Sequence, residues 1–134
     1  MANDFEVGVD VAADPDAAWA MAGDPVGIQD WFAPVASITV DGDVRTVTMG
    51  NGAELTERLV DRDDAARRYS YVVLSGIPGL TSHKATIRVE EAPGGSRVLW
   101  RQTATSDVEG YDIEARLSGV MTAALEELRT RLEA

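Results

Sequence analysis

Residues 96–132 read SRVLWRQTATSDVEGYDIEARLSGVMTAALEELRTRL, and within them the hydrophobic period changes once. Val98, Trp100 and Gln102 alternate with Arg97, Leu99 and Arg101, which is the two-residue repeat of a strand. Beyond Ser106 the repeat becomes helical: Ile113, Leu117, Met121, Ala124, Leu125, Leu128 and Leu132 fall on one stripe. Ser106 and Glu109 have the spacing of a capping box, and nothing from Tyr111 to Leu132 obliges a helix to stop, so one helix from Asp107 to about Glu133 is expected. At about 1.5 Å of rise per residue it would span ~40 Å, whereas a chain of this length has a radius of gyration of about 14 Å. Such a helix must cross a whole sheet. Asp112 with Arg116, and Glu127 with Arg131, stand one turn apart for pairing on its outer face. Gly119, inside the helix, is open to three readings: a kink, a close approach to a strand, or a glycine with no required role.

Upstream, the two-residue period dominates. Phe5, Val7, Val9 and Val11 alternate with Glu6, Gly8 and Asp10 in a first strand. Asp14 followed by Pro15 is a cap and first position for a short helix, and Asp24 followed by Pro25 repeats the signal for a second, ended by Pro34. Six further strands follow, separated by turns at residues 41–43, 50–52, 61–65, 75–82 and 93–95. The expected architecture is α+β: a curved seven-stranded antiparallel sheet around a long C-terminal helix, with two short helices after the first strand.

With 134 residues and no linker-like composition break, one domain over 1–134 is expected. Twelve Lys and Arg against twenty-three Asp and Glu give a net charge of −11, and no basic stripe offsets it, so nucleic acid is a poor partner. No segment approaches the ~18 apolar residues of a membrane span, and the N-terminus lacks a basic start followed by an apolar stretch, which points to a cytoplasmic protein with no stable membrane insertion. The absence of cysteine removes disulfides and thiolate chemistry, a single histidine removes multi-histidine metal sites, and no nucleotide loop signature is present. No cofactor or metal is expected.

The order of strand, two short helices, six strands and long helix resembles the helix-grip fold. The chain is similar to the START-like or SRPBCC (birch-pollen-allergen-like) superfamily, and within it to the polyketide cyclase/dehydrase-like branch. The resemblance rests on Asp14, Pro15 and Ala17 to Trp19, on Ile28 to Trp31, on Gly52 to Leu59, on Arg67 to Tyr71 and on Met121 to Leu132. It implies an apolar cavity between the concave sheet face and the long helix. Because fold and activity are separable, it carries no particular reaction with it.

Strand alternation nominates the residues facing such a cavity. His83 shares a face with Ala85 and is open to three roles: structural or rim residue, ligand contact, or proton transfer. Glu57 shares a face with Leu55 and Leu59, and a carboxylate turned inward must be paired, neutralised or hydrogen-bonded. Tyr69 and Tyr71 lie on one face of the next strand. Trp31, Trp100 and Tyr111 supply aromatic surface with a polar donor, and Leu117 and Met121 supply the helix side. The candidate set is therefore Trp31, Leu55, Glu57, Tyr69, His83, Ala85, Trp100, Tyr111, Leu117 and Met121, with His83 and Glu57 the candidates for catalysis. Ile77 and Leu80, in the turn at 75–82, would cover the cavity as a lid or plug. The leading expectation is binding of a small hydrophobic or aromatic ligand, a lipid or polyketide-like metabolite, by a monomer or homodimer. The alternative is a metal-free polyketide cyclase, aromatase or dehydratase.

Overall fold

In the computed structural model, which describes residues 2–134, β1 (Ala2–Val11) leads into α1 (Pro15–Ala22) and a 3-10 turn (Gly27–Asp30). The strands β2 (Val35–Asp41), β3 (Val44–Met49), β4 (Glu54–Asp63), β5 (Arg68–Ser75), β6 (Leu80–Ala92) and β7 (Gly95–Ser106) follow, then α2 (Ile113–Glu133). The seven strands form one sheet in the order β1-β7-β6-β5-β4-β3-β2, every neighbour antiparallel. This is the helix-grip arrangement, with α2 lying on the inner face.

α1 starts as its sequence requires: the Asp14 carboxylate accepts from the Ala17 amide at 2.9 Å and Pro15 fills the first turn. The second short helix is reduced to a single 3-10 turn. Asp24 does not cap a helix there; its carboxylate accepts from the Val26 amide two residues on, at 3.0 Å. That local closure competes with helix propagation, and Gly27 with Pro34 leaves little chain in which to recover it.

α2 is also shorter than expected. Ser106 Oγ accepts from Val108, two residues on, at 3.0 Å, and Gly110 takes a left-handed φ of 75°, which no helix accommodates. The working cap is Asp112, which accepts from the Ala115 amide at 3.1 Å. The remaining 21 residues span about 32 Å, still enough to cross the sheet. With its carboxylate used for capping, Asp112 does not pair with Arg116, whose guanidinium lies 4.7 Å from the Tyr111 ring centre. Glu127 and Arg131 do pair, at 3.1 Å. Gly119 does not touch a strand, since a Cβ built there meets nothing within 4 Å, and the helix runs through it from Ile113 to Glu133 without interruption.

Ile113, Met121, Ala124, Leu125 and Leu128 are buried against the sheet, with Leu117 and Leu132 partly covered. Facing them are Ala85, Ile87 and Val89 of β6 and Val98 and Trp100 of β7, all buried. Both tyrosines of β5 point inward, Tyr69 at 1% and Tyr71 at 4% exposure. No helix among the described residues is long and apolar enough to cross a membrane.

Candidate ligand cavity

Between β2–β5, the ends of β6 and β7, the 3-10 turn and α2 lies a cavity of about 210 Å³. Its walls are mainly apolar, formed by residues such as Phe32, Ile38, Val47, Val73, Trp100 and Met121. Exposed Ala53, Glu54 and Gly76 and half-buried Ile77 and Leu117 surround its outer end.

Register explains why the cavity opens there. β6 and β7 pair from Leu80↔Ser106 to Ala92↔Gly95, but β5 and β6 pair only from Arg68↔Arg88 to Tyr71↔Ala85. Beyond Tyr71 the two strands part, and the amide of Val73 loses its ladder partner. His83 supplies the replacement: its Nδ1 accepts from the Val73 amide at 3.0 Å. A backbone N–H only donates, so Nδ1 carries the lone pair and the ring proton sits on Nε2. That Nε2–H donates to Gln102 Oε1 at 2.5 Å, and Gln102 Nε2 donates to Met121 Sδ at 3.6 Å. The relay runs from β5 through β6 and β7 to α2. Burial pushes the His83 imidazole below its ordinary pKa, only partly opposed by Gln102, which keeps the ring neutral. Both ring nitrogens are committed, so this histidine holds no free base.

The second polar group is an ion pair. Arg45 is 1% and Glu57 5% exposed, and they are register partners across β3 and β4. Arg45 Nε and Nη2 both meet Glu57 Oε1, at 2.8 and 2.7 Å. Arg45 Nη1 donates to the Pro25 carbonyl at 2.8 Å, and the guanidinium lies 4.6 Å from the Tyr71 ring centre. Burial pushes the Glu57 carboxyl above the usual carboxylate value, and Arg45 pulls it only part of the way back. Burial also pushes the Tyr71 phenol up, so it stays protonated and accepts from Trp100 Nε1 at 3.1 Å.

Six of the ten sequence candidates line the cavity: Leu55, Glu57, His83, Trp100, Leu117 and Met121. Four do not. Trp31 is 1% exposed and meets Trp100 edge-on at 5.8 Å, from behind the cavity wall. Tyr69 lies one position beyond Tyr71 along the β5 face, against Trp19 at 6.2 Å; its hydroxyl leans toward Arg45 without completing a hydrogen bond. Ala85, fully buried opposite Tyr71 and Gln102, is too short to reach the space. Tyr111 covers Gly79, where an added Cβ would come within 2.8 Å of its ring. In the 75–82 turn, Ile77 reaches the lining and Leu80 does not.

Arg45, Tyr71 and Gln102 were missing from the candidates although alternation puts all three inward. The signal for Arg45 was arithmetic: a hairpin turning at residues 50–52 places positions 45 and 57 opposite each other, as they are.

A family model described as polyketide cyclase / dehydrase and lipid transport matches residues 3–133. The chain belongs to this family. No curated protein matches it. Among solved structures, an uncharacterized protein from Bacillus thuringiensis is 24% identical with a TM-score of 0.84, the match covering 98% of each chain. The Zhui aromatase/cyclase from Streptomyces sp. R1128 is 20% identical with a TM-score of 0.82, covering 99% of this chain and 94% of that one. Ara h 8.0201 is 16% identical with a TM-score of 0.78, covering 98% of each chain. At these identities the likeness establishes the shared SRPBCC-type fold of the family and no activity.

Proposed function

We propose that the protein binds a small hydrophobic or aromatic molecule in the cavity between sheet and α2 and releases it unchanged. The observation that carries this reading is the state of the polar groups in an otherwise apolar cavity. His83, the only imidazole in the chain, has one nitrogen accepting from Val73 and the other donating to Gln102. Using it as a base would first require breaking the contact that closes the gap between β5 and β6. Apolar walls with a few placed polar groups are what a binding pocket needs, and burial of ligand surface against them supplies affinity. The reading includes a cytoplasmic location and no nucleic-acid partner; a monomer and a homodimer are equally compatible with it.

A metal-free cyclase, aromatase or dehydratase is the second reading. It is favoured by Glu57, a buried carboxyl on the cavity wall whose pKa is raised by burial, which is a property of carboxyls that transfer protons.

Native mass spectrometry of gently purified protein tests the first reading: a retained small molecule, released unaltered on denaturation, is expected. Single-turnover assays of candidate substrates with Glu57→Gln and Glu57→Ala separate the two readings. Turnover abolished in both variants with affinity retained would overturn the carrier in favour of the enzyme.

A further inference from the structure

The two polar devices in the cavity differ in what they leave unused. In the His83 relay, both ring nitrogens and the Gln102 carbonyl oxygen are committed within the protein. In the ion pair, both contacts from Arg45 fall on Oε1 of Glu57. Oε2 accepts no hydrogen bond from any described group. Nor is it sealed in the core: the buried polar side-chain atoms without a partner among the described residues are Trp31 Nε1, Tyr69 Oη and Tyr111 Oη, and Oε2 is not one of them. Since Glu57 is 95% buried and lines the cavity, the space that Oε2 reaches is the cavity itself.

Charge and size narrow the occupant further. Besides neutral His83 and the Tyr71 phenol, which burial keeps protonated, three lining residues are ionisable: Arg45, Glu57 and Glu54. Arg45 balances Glu57, which leaves the Glu54 carboxylate at the outer end as the surplus charge. A ligand anion brought inside would meet that surplus and lose its hydration with no free cation to receive it. An apolar cavity of about 150 Å³ accepts benzene, so 210 Å³ corresponds to one or two fused rings and not to a long acyl chain or a tetracycle. Phe32, Tyr71 and Trp100 give that space aromatic walls.

We infer that the cavity selects an uncharged, compact aromatic molecule of one or two rings carrying a hydroxyl or N–H donor, and that Glu57 Oε2 accepts from that donor. This rests on the carrier reading above and adds the ligand's size, charge and polarity. Glu57 is then the specificity-determining group, the Arg45 contact fixing the carboxylate's orientation so that one oxygen stays presented to the ligand. The hydrogen bond is charge-assisted and made by a carboxylate that is 95% buried, so it discriminates more strongly than the same bond at a surface.

Three probes of nearly one shape test this by isothermal titration calorimetry on the full chain at pH 7: naphthalene, 2-naphthol and 2-naphthoate. The expected order is naphthol tightest, naphthalene about ten-fold or more weaker for lack of the charge-assisted bond, and naphthoate weakest. In Glu57→Gln the advantage of naphthol over naphthalene should shrink several-fold and naphthoate should gain. Equal affinity for naphthol and naphthalene, or tightest binding of naphthoate, in the native protein would overturn the inference while leaving the carrier reading standing. Failure of all three probes to bind would overturn the inference, and the carrier reading then stands or falls on the retained-ligand measurement. The order within the native protein stands as a test even if Glu57→Gln does not fold.

Discussion

The sheet has two unlike halves. Across β1, β7 and β6 the register runs unbroken for ten pairs on one side of β7 and nearly so on the other, and the helix stripe packs against buried Val98, Ile87 and Val89. Across β5, β4, β3 and β2 the ladder shifts between Thr56 and Glu57, between Leu59 and Asp61 and between Val35 and Ser37, and the cavity lies over this half. One half is closed by packed side chains. The other is held partly by a buried ion pair and a histidine relay, which leave a space that apolar side chains do not fill. Bulges bend and twist a strand locally, so an irregular register and a hollow under it belong together.

If polar links hold the open half, their loss should be more damaging than the loss of a methyl group there. Arg45→Ala strands the buried Glu57 carboxylate and should lower stability by about 3–5 kcal/mol in urea unfolding, whereas the double change Arg45→Met with Glu57→Leu should recover most of it. A single variant no worse than a surface substitution would erase the distinction between the halves.

In the packed half, Leu128→Ala should remove about 2–5 kcal/mol, because Leu128 is fully buried and its neighbours cannot all relax into the hole. Leu55→Ala, at the half-buried cavity wall, should lose less than half as much in the same experiment. Equal losses would mean that the hollow is filled in solution.

The relay makes a smaller, pH-dependent prediction. The neutral His83 of the folded protein resists a proton that the unfolded chain accepts from about pH 6.5 downward. Its contribution is therefore present above pH 6.5 and lost as pH falls through its lower folded value. Glu57 works in the opposite sense: its raised folded value favours folding below about pH 4.5, an advantage lost as pH rises through that value. Subtracting the stability profile of His83→Gln from that of the native protein isolates the histidine, and the difference should shrink towards acid. Because the chain has one histidine, its imidazole NMR signal gives the folded titration directly; titration at or above the ordinary value would contradict the locked tautomer.

The same contrast governs what was legible beforehand. Strands, topology and the buried stripe of α2 follow from hydrophobic period, since a two-residue or 3.6-residue repeat is a property of the chain itself. The inward direction of Glu57, His83 and Trp100 follows from the same rule. Alternation does not report depth, however: Ala85 and Tyr69 face inward as expected yet lie outside the cavity, and Trp31 and Tyr111 depend on how irregular segments pack. The start of α2 was missed because Ser106 and Glu109 match a capping box locally, while Gly110 interrupts the helix. Gly119, suspected of a packing role, proves to be exposed and uncontacted, so Gly119→Ala should stabilise the protein by up to about 1 kcal/mol in urea unfolding.

The central claim, that the hollow beneath β3 and β4 is a ligand site, is tested most directly by filling it. Val47 is buried on β3 with its side chain on the cavity wall, so Val47→Phe should place the added ring in the hollow. Titrating 2-naphthol into native and Val47→Phe proteins should show saturable binding in the first and none in the second, with urea stability lowered by no more than about 1–3 kcal/mol, the cost of added bulk in a core. Undiminished binding in Val47→Phe would put the ligand elsewhere and contradict the account.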